Sequence, residues 1–366
     1  MPQAQPLAEI LSELARDGEL FEKLPGDKVR CFACGHRCLI LEGLPGICKV
    51  RFNRGGSLRV PGGYVGALQV DPIEKKPFFH ALPGSLAMSF GMLGCDFHCG
   101  YCQNWITSQA IRDPGAVSMP ERVAAAELVS LALERGARIV ASTYNEPLIT
   151  AEWAMEVLRP AVQAGLIGAF ISNGNATAEV LDYIRPYVRL YKVDLKSFRQ
   201  SNYRELGGRL EVILDAIQML RQKDFWVEVV TLVVPGFNDS DEEFGNIARF
   251  LASVSPDIPW HVTAFRQNYK MTEPDDTPAS TLLRAVHIGE REGLRFVYAG
   301  NLPGQVGSYE NTRCPGCGAL LIERHGFLVS GFRIAPGGAC PECGRDIPGL
   351  WPGEVYHPQA APPASG

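Results

Sequence analysis

Gly94-Cys95-Asp96-Phe97-His98-Cys99-Gly100-Tyr101-Cys102-Gln103-Asn104-Trp105 is the stretch on which the reading of this chain turns. It follows an apolar run, residues 85–92, that reads as a buried strand, so the cysteines fall on the loop leaving that strand's C-terminal end. Three thiolates at this spacing can hold three irons of a 4Fe-4S cluster and leave the fourth iron without a protein ligand. An open coordination position is what separates a catalytic metal centre from a closed one. Tyr101, an aromatic just before the third cysteine, fits between such a cluster and a bound adenine. The competing arrangement is a zinc site that borrows a fourth ligand such as His98.

Downstream, helical and apolar segments alternate. Residues 119–136 have helical spacing, with Pro120 near the start and Gly136 at the end. Strands are predicted at 138–143, 167–172, 190–195, 226–234, 258–265 and 294–298, with helices at 150–165, 176–187, 210–223, 239–254 and 281–293 between them. Alternation at this spacing implies parallel strands joined by right-handed crossovers. The fold expected is α/β, a partial TIM-like (β/α)6 barrel, with a doubly wound sheet as the competing topology. A parallel barrel carries its functional loops at the C-terminal strand ends, and most polar motifs of the chain fall there.

The chain has eleven cysteines, an odd number that argues against a closed disulfide framework. They fall into groups of four, three and four, which is metal-ligand arithmetic. Cys314-Pro-Gly-Cys317 and Cys340-Pro-Glu-Cys343 are two knuckles, each followed by glycine, with the spacing of a structural zinc ribbon. Cys31, Cys34, Cys38 and Cys48 could hold zinc or an iron-sulfur cluster, since thiolates suit both. The domains expected are a four-cysteine segment over 1–80, a barrel over 81–304, a ribbon over 305–352 and a disordered tail over 353–366.

The chain has 366 residues, 46% of them apolar and 20% charged, which gives it a sizeable core and excludes a disordered or collagen-like protein. With 35 basic against 40 acidic residues it has no cationic excess to track a phosphate backbone, so nucleic acid is not an expected partner. No apolar stretch reaches the ~18 residues of a membrane span. The N-terminus carries acids where a signal peptide carries a basic start. A cytoplasmic protein is expected.

The cysteine motif resembles the signature of radical S-adenosylmethionine (SAM) enzymes. Asp71-Pro-Ile-Glu-Lys-Lys76, Thr143-Tyr-Asn-Glu-Pro147, Ser172-Asn-Gly174, Val193-Asp-Leu-Lys196, Val233-Val-Pro-Gly-Phe-Asn-Asp239, Pro259-Trp-His-Val262 and Tyr298-Ala-Gly-Asn301 narrow the match. With them the chain is similar to the AmmeMemoRadiSam system radical SAM enzymes, relatives of pyruvate formate-lyase activating enzyme. It departs from that pattern at Arg266, Gln267 and Asn268, and at Tyr144-Asn145-Glu146, where Asn145 is expected to take the turn that a glycine makes in the family.

The resemblance implies that Cys95, Cys99 and Cys102 hold the cluster and that SAM chelates the open iron. Glu146, with the backbone of Tyr144 and Asn145, would take the methionine ammonium. Ser172 and Asn173 would face the ribose or carboxylate, Asp194 and Lys196 the carboxylate and a monovalent cation, and Val234 and His261 the adenine end. Candidate substrate contacts at the rim are Glu228, Thr231, Arg266, Tyr269, Lys270 and Asn301. The chemistry implied is reductive cleavage of SAM to a 5'-deoxyadenosyl radical that abstracts hydrogen from a substrate. Partners implied are a flavodoxin- or ferredoxin-type one-electron donor and Memo-like and AMMECR-type proteins. The alternatives are an activase of a glycyl-radical enzyme and, in another class, a non-catalytic zinc-binding interaction protein.

Overall fold

The computed structural model describes residues 7–353. The tail expected to be disordered lies outside the described residues from position 354 onward. The centre is an eight-stranded sheet made of β1 (Ala67–Pro72), β2 (Leu86–Gly91), β3 (Ile139–Ser142), β4 (Ile167–Ser172), β5 (Leu190–Asp194), β6 (Trp226–Val233), β7 (Trp260–Ala264) and β8 (Val297–Gly300). The strands lie side by side in chain order. From β2 to β8 every pairing is parallel. Strand order that never reverses puts every right-handed crossover on one face, which sets aside the doubly wound alternative.

The connecting helices are α1 (Ala125–Glu134), α2 (Ala151–Gln163), α3 (Ala178–Ile184), α4 (Gln200–Leu206), α5 (Leu210–Gln222), α6 (Asp241–Val254) and α7 (Ala279–Arg291). Their apolar stripes explain the packing. In α5, Ile213, Ala216, Ile217 and Leu220 are buried at i, i+3, i+4 and i+7. The strands are apolar on both faces, as in Ile139-Val-Ala-Ser142, where every residue is buried.

The helix Gln200–Leu206 was not expected, the last strand, expected at 294–298, lies at Val297–Gly300, and two further elements differ from the sequence expectation. The helix expected from residue 119 begins at Ala125, because Glu121–Arg122 pairs as a short strand with Tyr64–Val65. The Glu127 carboxylate accepts the Ala124 N–H at 2.7 Å and caps the later start. The second difference is β1, which pairs antiparallel with β2 and extends the sheet to a segment assigned above to the N-terminal unit.

The outer strands β1 and β8 do not pair, so the barrel is open. Residues 73–82 cross from β1 to the far strands. There the Glu228 carboxylate of β6 accepts the Phe79 and His80 N–H groups, each at 2.9 Å, and the Phe79 ring packs against His261 of β7 and Tyr298 of β8. The C-terminal segment covers this crossing. Its three antiparallel strands (Thr312–Arg313, Leu320–His325, Leu328–Phe332) share a core with Phe79, Phe296 and Tyr298. Arg324 donates to the Phe79 carbonyl at 2.7 Å, and Ala81 bridges to Leu350. On the opposite flank, buried Arg51 clasps the Glu152 carboxylate of α2 with two bonds of 2.7 Å and fixes the N-terminal four-cysteine segment to the barrel.

Candidate active site

The cysteine loop leaves β2 through Gly94, whose φ of 96° and proximity to Val50, 2.7 Å from an added Cβ, both require glycine. Buried Asp96 then pins the loop to the end of β4, its carboxylate accepting from the Asn173 and Asn175 amides at 2.8 Å each. Gln109 and Arg112 hold the carbonyls of Phe97 and Cys95 at 3.1 and 2.7 Å. This rigidity matters because cluster ligands must be held in place by neighbours whose own geometry is fixed.

Cys95, Cys99 and Cys102 line one cavity together with Tyr144, Glu146, Asn173, Asp194 and Lys196. It continues into a space of about 380 Å³ lined by Tyr101 and by Lys76 from the crossing segment. Burial pushes the Cys95 and Cys99 thiols up, Cys99 to about 12, so as thiolates they need compensating cationic charge, which a bound metal would supply. The three sulfurs are not drawn together within the 4.8 Å of a single-ion site. His98 does not complete one either; its ring lies over Gly207, 2.5 Å from a Cβ added there. The donor set and its spread suit a cluster, whose ligands sit around several metals, and do not suit zinc.

Around this loop, strand alternation decides which side chains face the cavity. Lys192, Asp194 and Lys196 line it, as do Val230 and Leu232 of β6 and Thr263 of β7, all of one parity on their strands. Asp194 pairs with Lys192 and lies 3.7 Å from the Lys196 ammonium. Lys192, absent from the sequence candidates, was signalled by that period of two. Glu146 is buried and accepts from Ser172 Oγ at 2.7 Å, the Asn173 N–H at 2.8 Å and the Leu148 N–H at 3.1 Å. Burial, and then the charge of Asp96, push its carboxyl up to about 8. Ser172 therefore acts through Glu146 and positions it.

Several expectations are corrected by the geometry. The left-handed residue after β3 is Tyr144, with φ 68°, and not Asn145; the chain must clear Gly91, where an added Cβ would meet the Thr143 carbonyl at 2.3 Å. Asn145 instead accepts the Met92 N–H at 2.9 Å. Glu228 and Thr231, expected at the rim, are both fully buried. Glu228 staples the crossing segment, and Thr231 has the opposite parity, donating to the Leu195 carbonyl and accepting from the Trp260 indole, each at 3.0 Å. Val234 is buried, its N–H bonded to Asn238, and lines none of these cavities. His261 lies away from the cysteines and bonds Glu228 at 2.7 Å. Tyr269 and Lys270 engage Asp113 at 2.5 and 3.4 Å, outside the cavities.

A second cavity of about 500 Å³ adjoins the first, sharing Pro77, Gln103, Thr263, Asn301 and Phe327 with it. His261, Tyr298, Arg266 and buried Glu74 line it, and the ribbon hairpin contributes His325 and Phe327. One oxygen of Glu74, Oε2, is buried without a hydrogen bond.

The remaining cysteines form two unlike groups. Cys314 lies 3.5 Å from Cys343 and Cys317 3.7 Å from Cys340, sulfur to sulfur, and all four sulfurs fall within 4.8 Å of one another. Metal–sulfur bonds of about 2.3 Å in a tetrahedron need sulfurs ~3.8 Å apart, so this group can hold one ion. The N-terminal cysteines are buried or half-buried at Cys31, Cys34, Cys38 and Cys48, yet their sulfurs are not gathered within that span.

The parallel open barrel with a three-cysteine loop at its first parallel strand defines the radical SAM class. Comparison with known proteins agrees. The model of the radical SAM superfamily matches residues 91–251. The uncharacterized protein MJ0808 of Methanocaldococcus jannaschii is 36% identical over 337 residues, 91% of this chain and 98% of its own length. The isethionate sulfite-lyase activating enzyme of Oleidesulfovibrio alaskensis is 26% identical over 171 residues, 44% of this chain and 55% of its own. A domain of pyruvate-formate lyase-activating enzyme from Bacteroides vulgatus aligns over 44% of this chain and 98% of its own at 22% identity and TM-score 0.40. SuiB of Streptococcus suis aligns over 63% of this chain and 52% of its own at 15% identity and TM-score 0.47. The chain belongs to the radical SAM superfamily and is an enzyme. Among the described residues no helix is long and apolar enough to cross a membrane.

Proposed function

We propose that the chain binds a 4Fe-4S cluster through Cys95, Cys99 and Cys102 and cleaves SAM reductively to abstract hydrogen from a substrate held in the adjoining cavity. The observation that carries this reading is the convergence of the three sulfurs, Glu146 and Asp194 on one cavity from three different strand ends. Bound there, the cluster would supply the single electron that reductive cleavage of the SAM sulfonium requires. Glu146 would bind and orient the ammonium end of SAM, Asp194 and Lys196 would lie about its carboxylate and a monovalent cation, and Tyr101 lies beside the cavity for the adenine. Lys76, Phe327 and the crossing segment wall the cavity and keep water from a radical that would attack it.

The substrate cavity carries Arg266, an exposed guanidinium with no ion pair among the described residues, and Glu74, whose Oε1 is held by the Gly84 N–H and Arg324 while Oε2 has no hydrogen bond, so it suits a small molecule with an anionic group at its mouth and a donor deep within. The Cys314 group is assigned to structural zinc. A one-electron carrier of flavodoxin or ferredoxin type is the reductant, and Memo-like and AMMECR-type proteins are carried forward as partners on the sequence resemblance. A second reading, activation of a partner's glycyl radical, is favoured by the likeness to the isethionate sulfite-lyase activating enzyme. Anaerobic reconstitution with SAM and dithionite tests the core claim: equal release of 5'-deoxyadenosine and methionine is expected, and their absence overturns it. A spin-resonance signal on a co-expressed partner would select the activase reading.

A further inference from the structure

We infer that Cys31, Cys34, Cys38 and Cys48 hold a second, redox-active iron-sulfur cluster that passes electrons to the Cys95 loop. The chain contains its own calibration. Where the geometry is that of one ion, at Cys314, Cys317, Cys340 and Cys343, the sulfurs lie within 4.8 Å; the Cys95 loop and the N-terminal group are both wider. Four thiols near enough to act on one another electrostatically, without closing to the spacing of one ion, suit several irons and not one zinc.

A second observation points to a ligand at this site. Arg51 is 1% exposed and faces the Cys31 and Cys48 thiols. Its two terminal nitrogens are held by Glu152, but its Nε is buried without a hydrogen bond. A buried N–H donor in this position is costly unless something accepts from it, and the sulfur of an anionic cluster is such an acceptor.

The site is built into the cysteine loop of the barrel. Arg112 bonds the Ile47 carbonyl, beside Cys48, at 2.5 Å and the Cys95 carbonyl at 2.7 Å. The Gly35 N–H, beside Cys34, donates to the Asn175 carbonyl at 2.8 Å, and the Asn175 amide bonds Asp96, beside Cys95, at 2.8 Å. The Cys48 carbonyl would lie 3.4 Å from a Cβ at Gly94. The two groups are thus backbone neighbours. The loop from Cys38 to Cys48 reaches the surface, with Leu39, Leu41, Leu44 and Ile47 exposed, whereas the Cys95 sulfurs face the interior cavity. An electron from a one-electron donor protein enters at the surface group, oxidising the donor, and leaves to reduce the inner cluster, so each transfer is balanced.

The relay rests on the proposed SAM cleavage; the cluster itself does not. The test uses the full chain produced anaerobically, with iron, sulfide and zinc measured. The variant Cys95→Ala/Cys99→Ala/Cys102→Ala is expected to stay brown and to keep about half of the wild-type iron and sulfide. If that variant is colourless and carries two zinc ions per chain, the second cluster is disproved. The variant Cys34→Ser/Cys38→Ser is expected to lose the other half while keeping the spin-resonance signal that SAM perturbs. In it, 5'-deoxyadenosine release driven by a reduced flavodoxin should fall at least ~10-fold while release driven by dithionite stays within about twofold. Equal loss with both reductants, or no loss with either, overturns the relay. Should Cys34→Ser/Cys38→Ser fail to fold, the iron content of the first variant decides the cluster. A wild-type chain that releases nothing with dithionite refutes the proposed function and leaves the iron count to judge this site.

Discussion

Two cysteine groups in one chain, at Cys95 and at Cys314, show how the same side chain is put to opposite uses. The Cys314 group is closed: four sulfurs sit at the mutual distances of a tetrahedron, two knuckles bring them there, and nothing else is needed from the chain. The Cys95 group is open. It has three sulfurs and borrows the rest of its environment from β3, β4 and β5, through Glu146, Asn173 and Asp194. A closed site binds its ion through local sequence. An open one depends on distant strands to aim a ligand that the protein does not supply.

The largest effect follows from breaking the open group. Cys102→Ala should abolish SAM cleavage and remove that cluster's absorption, because two thiolates cannot retain three irons. The fold should survive, as Cys102 is only half-buried at the edge of the barrel core and alanine keeps that edge apolar, and far-ultraviolet circular dichroism with a melting curve checks this. Breaking the closed group should do the converse. Cys314→Ser/Cys340→Ser should cost one zinc and lower the melting temperature by at least ~5 °C, given the large share of folding energy such sites carry. SAM cleavage by dithionite should persist. Turnover of substrate should be lost, since His325 and Phe327 of the ribbon hairpin line the second cavity. Loss of SAM cleavage in step with zinc would show that the two groups are not separable.

The comparison sharpens at Glu146. Burial and Asp96 hold its carboxyl near 8, above its ordinary 4.5, so the folded chain without SAM keeps a proton that the unfolded chain has released. Its contribution to stability is complete below about pH 4.5 and is lost as pH rises through about 8, an amount on the order of a few kcal/mol. Glu146→Gln should flatten the fall in stability between pH 5 and 8 relative to the parent chain, measured by denaturant unfolding without cofactor. Its KM for SAM should rise about 10- to 100-fold, the worth of a charge-assisted bond. An unchanged pH profile would show that folding does not raise the Glu146 carboxyl, and an unchanged KM would remove Glu146 from the ammonium site.

Much of this was legible in local sequence. Metal-ligand spacing is short-range, so all three cysteine groups could be found by counting, and helical or strand periodicity revealed the alternation from β2 to β8. What stayed hidden depends on contacts far apart in the chain. Nothing local distinguishes Ala67–Pro72 from a loop until it pairs with β2. Glu228 looks like a rim acid until Phe79 and His80, nearly 150 positions earlier, donate to it. Tyr144 rather than Asn145 takes the left-handed turn because of Gly91 on the neighbouring strand, which no window around residue 144 contains.

The smallest effects concern the loop after β7, where the sequence offered Arg266, Tyr269 and Lys270 as equals and the structure separates them. Arg266 lines the second cavity; Tyr269 stacks on Trp105 at 5.0 Å and bonds Asp113, and Lys270 pairs with the same carboxylate on an exposed surface. A solvent-exposed pair of this kind contributes at most ~1 kcal/mol and touches no substrate. Lys270→Ala should therefore leave kcat and KM within about twofold, once a substrate is in hand, while Arg266→Ala should raise KM about 5- to 10-fold with little change in kcat, as expected when a binding contact to an anionic group is removed. If the two variants behaved alike, the anion contact would lie outside the cavity, and the open group's substrate would have to approach over the Asp113 surface instead.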